Sequence, residues 1–302
     1  MFIVQHRKLF YILSGLIIAV SIVALSVWGL KPSIDFKGGA LIEVSYPAGR
    51  PEKAVIEKAL QPLSVDASVR PTGEQGYIIR MKDLSDEERT AVIGAVTLGS
   101  TTAATIERFD TIGPLLGREA VGKSFVAIIF VIICIVLFIT FAFRKVSLPV
   151  ASWKYGVITI VALLHDVLVP TGVFAILGHY AGYEVDTLFV TALLVVLGFS
   201  VHDTIVVFDR VRENLRVSHE VRDRKDFATI VGESIAQTFV RSINTSLTTV
   251  IALVVLYFIG PEITQHFSLA LLIGIIAGTY SSIFIGSPLL VTVEKWQKRK
   301  NP

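Results

Sequence analysis

Six stretches of this sequence run for about twenty residues with almost no charge: residues 9–30, 124–143, 155–177, 187–208, 242–259 and 267–293. A helix needs that length to cross the hydrocarbon core of a bilayer, and in lipid each backbone polar group must be satisfied within the segment. The stretches therefore predict six transmembrane helices. With 53% hydrophobic against 18% charged residues, the composition fits a polytopic membrane protein and excludes an ordinary soluble domain. The first stretch exceeds a signal-peptide core, and Pro32-Ser33-Ile34-Asp35 after it offers no small-residue cleavage site, so it reads as a retained helix.

Basic residues alternate between the connections. Arg144, Lys145 and Lys154 share one loop, and Arg210, Arg212, Arg216, Arg222, Arg224, Lys225 and Arg241 lie in or beside another. Lys295, Lys298, Arg299 and Lys300 make the tail basic, whereas residues 178–186 and 260–266 hold no Lys or Arg. The positive-inside rule then puts both termini of this multi-pass protein in the cytoplasm. Residues 1–30 supply the N-terminus and first helix, 31–123 one extracytoplasmic domain, and 124–302 helices two to six. Residues 209–240 are charged and amphipathic, which predicts a segment on the cytoplasmic surface near anionic lipid. The basic clusters serve topology and headgroups, not nucleic acid. Cys134 lies alone in an apolar run, so no disulfide framework exists.

Within 31–123 the pattern alternates between short strands and helices. Residues 41–46 alternate as a strand, and Pro51 opens a helix reaching Leu60. Residues 67–71 and 77–81 read as strands around Gly73 and Gly76, Ser85 and Glu88 fit a capping box for a helix reaching Leu98, and 104–109 close as a strand. The order βαββαβ predicts a ferredoxin-like fold. Its charged residues are spaced as solvated helix faces and carry no catalytic pattern.

Chemistry concentrates in the membrane. Residues 187–201 are almost purely apolar, yet His202, Asp203 and Thr204 follow before that helix ends. A carboxylate at mid-membrane costs about 2.5–3.5 kcal/mol on insertion scales, so its retention points to ion passage, pairing or a relay. Asp166 lies eleven residues beyond Tyr155, about 16 Å into the third span and near the bilayer centre. His165 points about 100° away around that helix and reads as a hydrogen-bonded packing residue, while Pro170 frees a carbonyl one turn on. On the fifth span, Arg241, Asn244, Thr245 and Thr248 form a polar stripe that should face the bundle and bring Arg241 to Asp203. A guanidinium favours the ionised carboxylate and burial the protonated one, so a small movement between them would shift proton affinity. Ala270, Gly274, Gly278, Ser282 and Gly286 recur at intervals of four as a small-residue packing face. Its partner, in this chain or another, does not follow from spacing.

Residues 198–214, Gly-Phe-Ser-Val-His-Asp-Thr-Ile-Val-Val-Phe-Asp-Arg-Val-Arg-Glu-Asn, resemble the signature of the SecF family. Ile34-Asp35-Phe36-Lys37-Gly38-Gly39, Leu164-His165-Asp166-Val167 and the run from Arg241 through Asn244, Thr245 and Ser246 to Thr249 extend the resemblance over nearly the whole chain, with His202 where the family more often has Asn. The resemblance implies a fold of the resistance-nodulation-division type and a non-enzymatic accessory subunit. Such a subunit acts with SecD and the proton motive force on late steps of preprotein export, with the SecYEG translocon, YajC, unfolded exported polypeptides and membrane lipid as partners. It implies that Asp203, Arg241 and Asp166 couple protons, that His202, Thr204, Asn244, Thr245 and Thr248 support them, and that the Asp35 to Gly39 block is a structural joint. No cofactor and no metal are implied. An independent proton-coupled small-molecule or metal exporter is the alternative, but adjacent His-Asp pairs on helices do not converge as ligands. An aspartyl protease needs two carboxylates sharing one proton, and the Gly-x-Gly-Asp context is missing.

Overall fold

The computed structural model describes residues 2–97, 104–144, 150–220 and 225–300. The chain opens with α1 (Phe2–Gln5) and α2 (Arg7–Val27). There follow α3 (Ile34–Lys37), β1 (Gly39–Ser45), α4 (Lys53–Leu60), β2 (Ser68–Thr72), β3 (Gly76–Met81), α5 (Asp86–Val96) and β4 (Thr105–Ile112). Then come α6 (Pro114–Ala142), α7 (Ser152–Tyr180), α8 (Thr187–Glu220), α9 (Phe227–Ile259), α10 (Glu262–Ser281) and α11 (Ser287–Lys300), the last two joined by a π turn over Ser282–Gly286. Two compact units result: Pro32–Phe125 with Val185–Thr187 holds the sheet, and the rest of the chain is helical.

Among the described residues, six helical stretches are long and apolar enough to cross a membrane: α2, α6, α7, α8, α9 and α10 running into α11. Burial sorts them. The apolar window of α6 is 6% buried, whereas those of α8 and of α10 with α11 are 50% and 67% buried, so α8 and α10 form the inside of the bundle. Phe125, Phe130, Leu137 and Phe138 of α6 point outward, as a lipid-facing helix requires. Leu163, Leu197, Val201, Val207, Phe208 and Ile283 meet at the centre.

The expected surface segment at 209–240 takes another form. Helix α8 continues to Glu220 and α9 starts at Phe227, because Val211, Leu215, Ile230, Val231 and Ile235 extend the apolar stripe at helical spacing and are buried in the same core. The charges pair locally instead: Arg210 with Glu213 at 2.6 Å, Lys225 with Glu233 at 3.0 Å, and Arg212 with Asp209. Asn214 Nδ2 ties the two helices by donating to Ser234 Oγ at 2.8 Å and Gln237 Oε1 at 2.9 Å. Lys145, Arg222, Arg224 and the expected helix end at Leu98 lie outside the described residues.

The sheet unit has the expected βαββαβ order, with antiparallel strands in the order β2-β3-β1-β4, the ferredoxin-like arrangement. Alternate residues of β1 and β3, including Ile42, Val44 and Ile79, meet Ile56 and Leu60 of α4 and Val92 and Val96 of α5 in a separate core. Pro51 lies just outside α4, whose N-cap is Glu52. Tyr46 Oη donates to the Val96 carbonyl at 2.7 Å, and burial pushes its phenol up to about 12. At the entry to β1, Gly38 and Gly39 have φ of +78° and +132°. A Cβ there would stand 2.7 Å from Pro114 Cα and 2.5 Å from the Met81 carbonyl oxygen, so this joint admits only glycine.

The capping box forms as the spacing required: Glu88 N donates to Ser85 Oγ at 3.2 Å and Ser85 N donates to Glu88 Oε2 at 2.9 Å. That backbone donor holds the Glu88 carboxyl below the usual carboxylate range. A depressed carboxyl stabilises the fold above its unfolded value and loses that contribution as pH falls through the folded value. Protection of the first-turn amides of α5 against hydrogen exchange should therefore fall on acidification below the usual carboxylate range. Glu88→Gln should remove that pH dependence, and Ser85→Ala should cost about 1 kcal/mol at any pH. A pH-independent protection pattern in the unmodified chain would contradict the assignment.

Candidate functional site

Two of the buried carboxylates in the helical unit are met by hydroxyls of neighbouring helices. Asp166 of α7 is 0% exposed. Its Oδ1 lies 2.9 Å from His165 Nδ1, and its Oδ2 accepts from Ser200 Oγ of α8 at 2.5 Å and Ser281 Oγ of α10 at 2.8 Å. Three helices thus converge on one carboxylate. His165, read from sequence as a packing residue, is 2% exposed, stacks on Tyr280 with centroids 6.0 Å apart, and keeps Nε2 buried without a hydrogen-bond partner. Adjacent side chains on a helix diverge, yet the imidazole folds back onto its neighbour.

Asp203 of α8 is 2% exposed, and its Oδ2 accepts from Ser246 Oγ of α9 at 3.3 Å. Ser246 is in turn 2.6 Å from Thr279 Oγ1 of α10. Thr204, beside it, bonds Ser282 Oγ at 2.8 Å, and Ser282 Oγ donates to the Ser200 carbonyl at 3.2 Å. The π turn lets consecutive residues serve different helices: Ser281 reaches α7 and Ser282 reaches α8. Such wide turns cluster at functional places in helices.

The expected meeting of Arg241 with Asp203 does not occur in this structure. Helix α9 has two polar faces, Ser242 with Ser246 and Arg241 with Asn244, Thr245 and Thr248. The first is buried against the bundle and the second is exposed, because the small hydroxyls fit the close approach to α8 and α10 while the guanidinium does not. Thr245 and Thr248 satisfy their hydroxyls on backbone carbonyls of their own helix, at Arg241 and Thr245 respectively. His202 is also exposed, about 100° around α8 from the buried Asp203. Ser200, Ser246, Thr279 and Ser281 were the residues missed; Ser246 at four residues from Ser242 was the legible signal.

The small-residue face of α10 seats against α8 of the same chain. A Cβ at Gly274 would lie 2.3 Å from Val196 Cγ2, and one at Gly278 would lie 2.9 Å from Ser200 Cβ. Gly286 takes no part, since a Cβ there meets only the Ser281 carbonyl at 3.6 Å, and Ser282 hydrogen-bonds instead of merely packing. Gly172 of α7, not singled out by the sequence, makes a similar approach to Ser21 of α2, at 2.3 Å.

Fold and site together define a six-span helical membrane protein with a ferredoxin-like domain after its first span and buried carboxylates in its third and fourth. The profile described as protein export membrane protein SecD/SecF, C-terminal, matches residues 93–296, and the protein translocase subunit SecF of Thermobaculum terrenum is 44% identical over 97% of this chain and 93% of its own length. The chain belongs to the SecD/SecF family of protein-export membrane proteins, among its SecF subunits. The SecF subunit of Anaerolinea thermophila is 38% identical over 98% of this chain and 95% of its own. The crystal structure of SecDF from Thermus thermophilus, a translocon-associated membrane protein, superposes with a TM-score of 0.82 at 29% identity. It covers 97% of this chain, which spans 38% of that longer one.

Proposed function

We propose that this chain works with SecD in the cell (inner) membrane, using the proton motive force to promote late steps of preprotein export, and that Asp203, Arg241 and Asp166 couple proton passage to movement. The carrying observation is Asp203 itself. It is buried in a membrane helix and met by a hydroxyl where an ion pair was expected, an environment suited to a carboxyl that gains and loses a proton. One elementary charge crossing 100 mV supplies about 2.3 kcal/mol, enough to shift a two-state helix packing.

The outward stripe of Arg241, Asn244, Thr245 and Thr248 sits among exposed Val240, Leu247 and Ile251. Polar groups so placed are costly against lipid, which supports coverage by membrane helices of SecD. SecYEG, YajC and unfolded exported polypeptide complete the assembly, with no catalytic role for this chain. Both termini lie in the cytoplasm and the sheet domain outside it. Accordingly, a cysteine label at Ser64 should react only from outside intact cells and one at Asp226 only from inside; the reverse pattern overturns the orientation. For the coupling itself, the test is preprotein export in inverted vesicles holding this chain and SecD. The increment that an uncoupler removes must be absent in Asp203→Asn. An independent exporter is not favoured by the family match, which is to protein translocase subunits.

A further inference from the structure

We propose that His165 is the proton port of the Asp166 site, the group through which that buried carboxyl exchanges its proton. Among the described residues that touch Asp166, His165 is the one whose side chain carries a basic ring. Its Oδ2 is occupied by the hydroxyls of Ser200 and Ser281, and its Oδ1 faces His165 Nδ1 at 2.9 Å. Imidazole differs from a hydroxyl in having a second titratable nitrogen on its far side. That nitrogen, Nε2, is buried and lacks a partner among the described residues, so it can take up a proton without breaking an existing bond.

The surrounding elements bring no competing charge. On α10, Tyr280 lies against the ring; it accepts from Ser14 Oγ at 3.2 Å and donates to the Phe10 carbonyl at 3.3 Å, both on α2. Helix α2 also brings Tyr11, bonded to Thr292 of α11 at 3.1 Å, and α11 carries Glu294, paired with Lys298. From α8 the dyad receives Ser200, with Asp203 the next acid along that helix, and the π turn contributes Ser282, bonded to Thr204. Among the described residues, no lysine or arginine forms an ion pair with Asp166; His165 is its one basic partner.

In the exchange, a hydronium ion gives a proton to Nε2 as its own O–H bond breaks, leaving water. The Nδ1–H proton passes to Asp166 Oδ1, forming O–H as N–H breaks. The dyad gains one proton, and His165 ends as the neutral Nε2–H tautomer with Nδ1 accepting from the new carboxyl O–H. Reversal returns the proton by the same route.

The proposal rests on the reading of Asp166 as protonatable, and infrared spectroscopy of the full chain in lipid nanodiscs tests it apart from export. A carboxyl C=O band that is missing in Asp166→Asn should grow on acidification; its absence from the unmodified chain overturns the proposal. In His165→Asn the side-chain amide still donates to Asp166 but relays nothing. Exchange of that band into D2O should slow by roughly a hundredfold, the usual scale for a positioned proton-transfer group. A rate within about twofold of the unmodified chain makes His165 a structural donor only and sinks the idea. Should His165→Asn fail to accumulate, ¹⁵N-histidine spectra of the unmodified chain decide: the His165 tautomer must switch from Nδ1–H to Nε2–H as the band rises, and a fixed tautomer is the overturning result. Asp203→Asn leaves both signals in place whether or not it abolishes export, so failure of the coupling reading and failure of the port are told apart.

Discussion

Replacing Asp203 with Asn should leave the protein folded and associated with SecD while export in inverted vesicles drops to the level seen with an uncoupler. Asn retains the size of the side chain and still accepts from Ser246 Oγ, the contact seen at 3.3 Å, but cannot bind and release a proton. Arg241→Met should give the same export defect for a different reason. Its guanidinium lies exposed on α9, so its loss removes no buried partner and should not lower thermal stability. Sequence reasoning paired the two residues, and a buried ion pair predicts that the double variant recovers what either single variant loses. With Asp203 and Arg241 on different faces of the α8–α9 contact, no such recovery is expected: the double variant should export no better than either single one at equal protein level. Full proton-dependent export by Asp203→Asn would end the carrier reading and leave Asp203 a scaffold residue.

Substitution of Gly278 by Leu should remove most of the protein from the membrane. The α10 backbone approaches α8 closely enough that even a single methyl would stand 2.9 Å from Ser200 Cβ, an atom that cannot rotate aside. Gly278→Ala already overpacks this contact, which typically costs about 1–3 kcal/mol. Because Ser200 Oγ donates to Asp166, Ala at this position should also disturb the carboxylate cage. Gly286→Ala is the control: the same stripe, with its nearest contact at 3.6 Å, predicts unfolding within a degree or two of the unmodified protein, the shift expected for well under about 0.5 kcal/mol. Thermal unfolding in detergent with membrane protein levels separates the three; equal behaviour of Gly278→Leu and Gly286→Ala would place the α10 face against lipid.

The fold was legible where physics leaves one solution. Six apolar runs of membrane length became six spans, and the alternation of the sheet domain with the Ser85 and Glu88 box became a ferredoxin-like unit. What escaped was which side of a helix faces inward when both are polar. Between Arg241 and Thr249 the sequence offers a charged stripe and a hydroxyl stripe, and charge drew attention although small size decides close helix packing. The bond between His165 and Asp166 escaped for a related reason, since helical periodicity describes where Cβ points and not where a long side chain bends. The helical continuation through residues 209–240 escaped because charge density masked the apolar stripe at Val211 and Leu215.

The widened turn at Ser282–Gly286 has a rotational meaning as well as a positional one. A π turn holds one surplus residue, so the helix beyond it is rotated by about 100° from the course an unbroken α-helix would take. Here the surplus is eased by Ser287, whose hydroxyl donates to the Ser282 carbonyl at 2.8 Å. The change of phase in the final span therefore falls where its hydroxyls grip the two acid-bearing helices, Ser281 on Asp166 and Ser282 on Thr204.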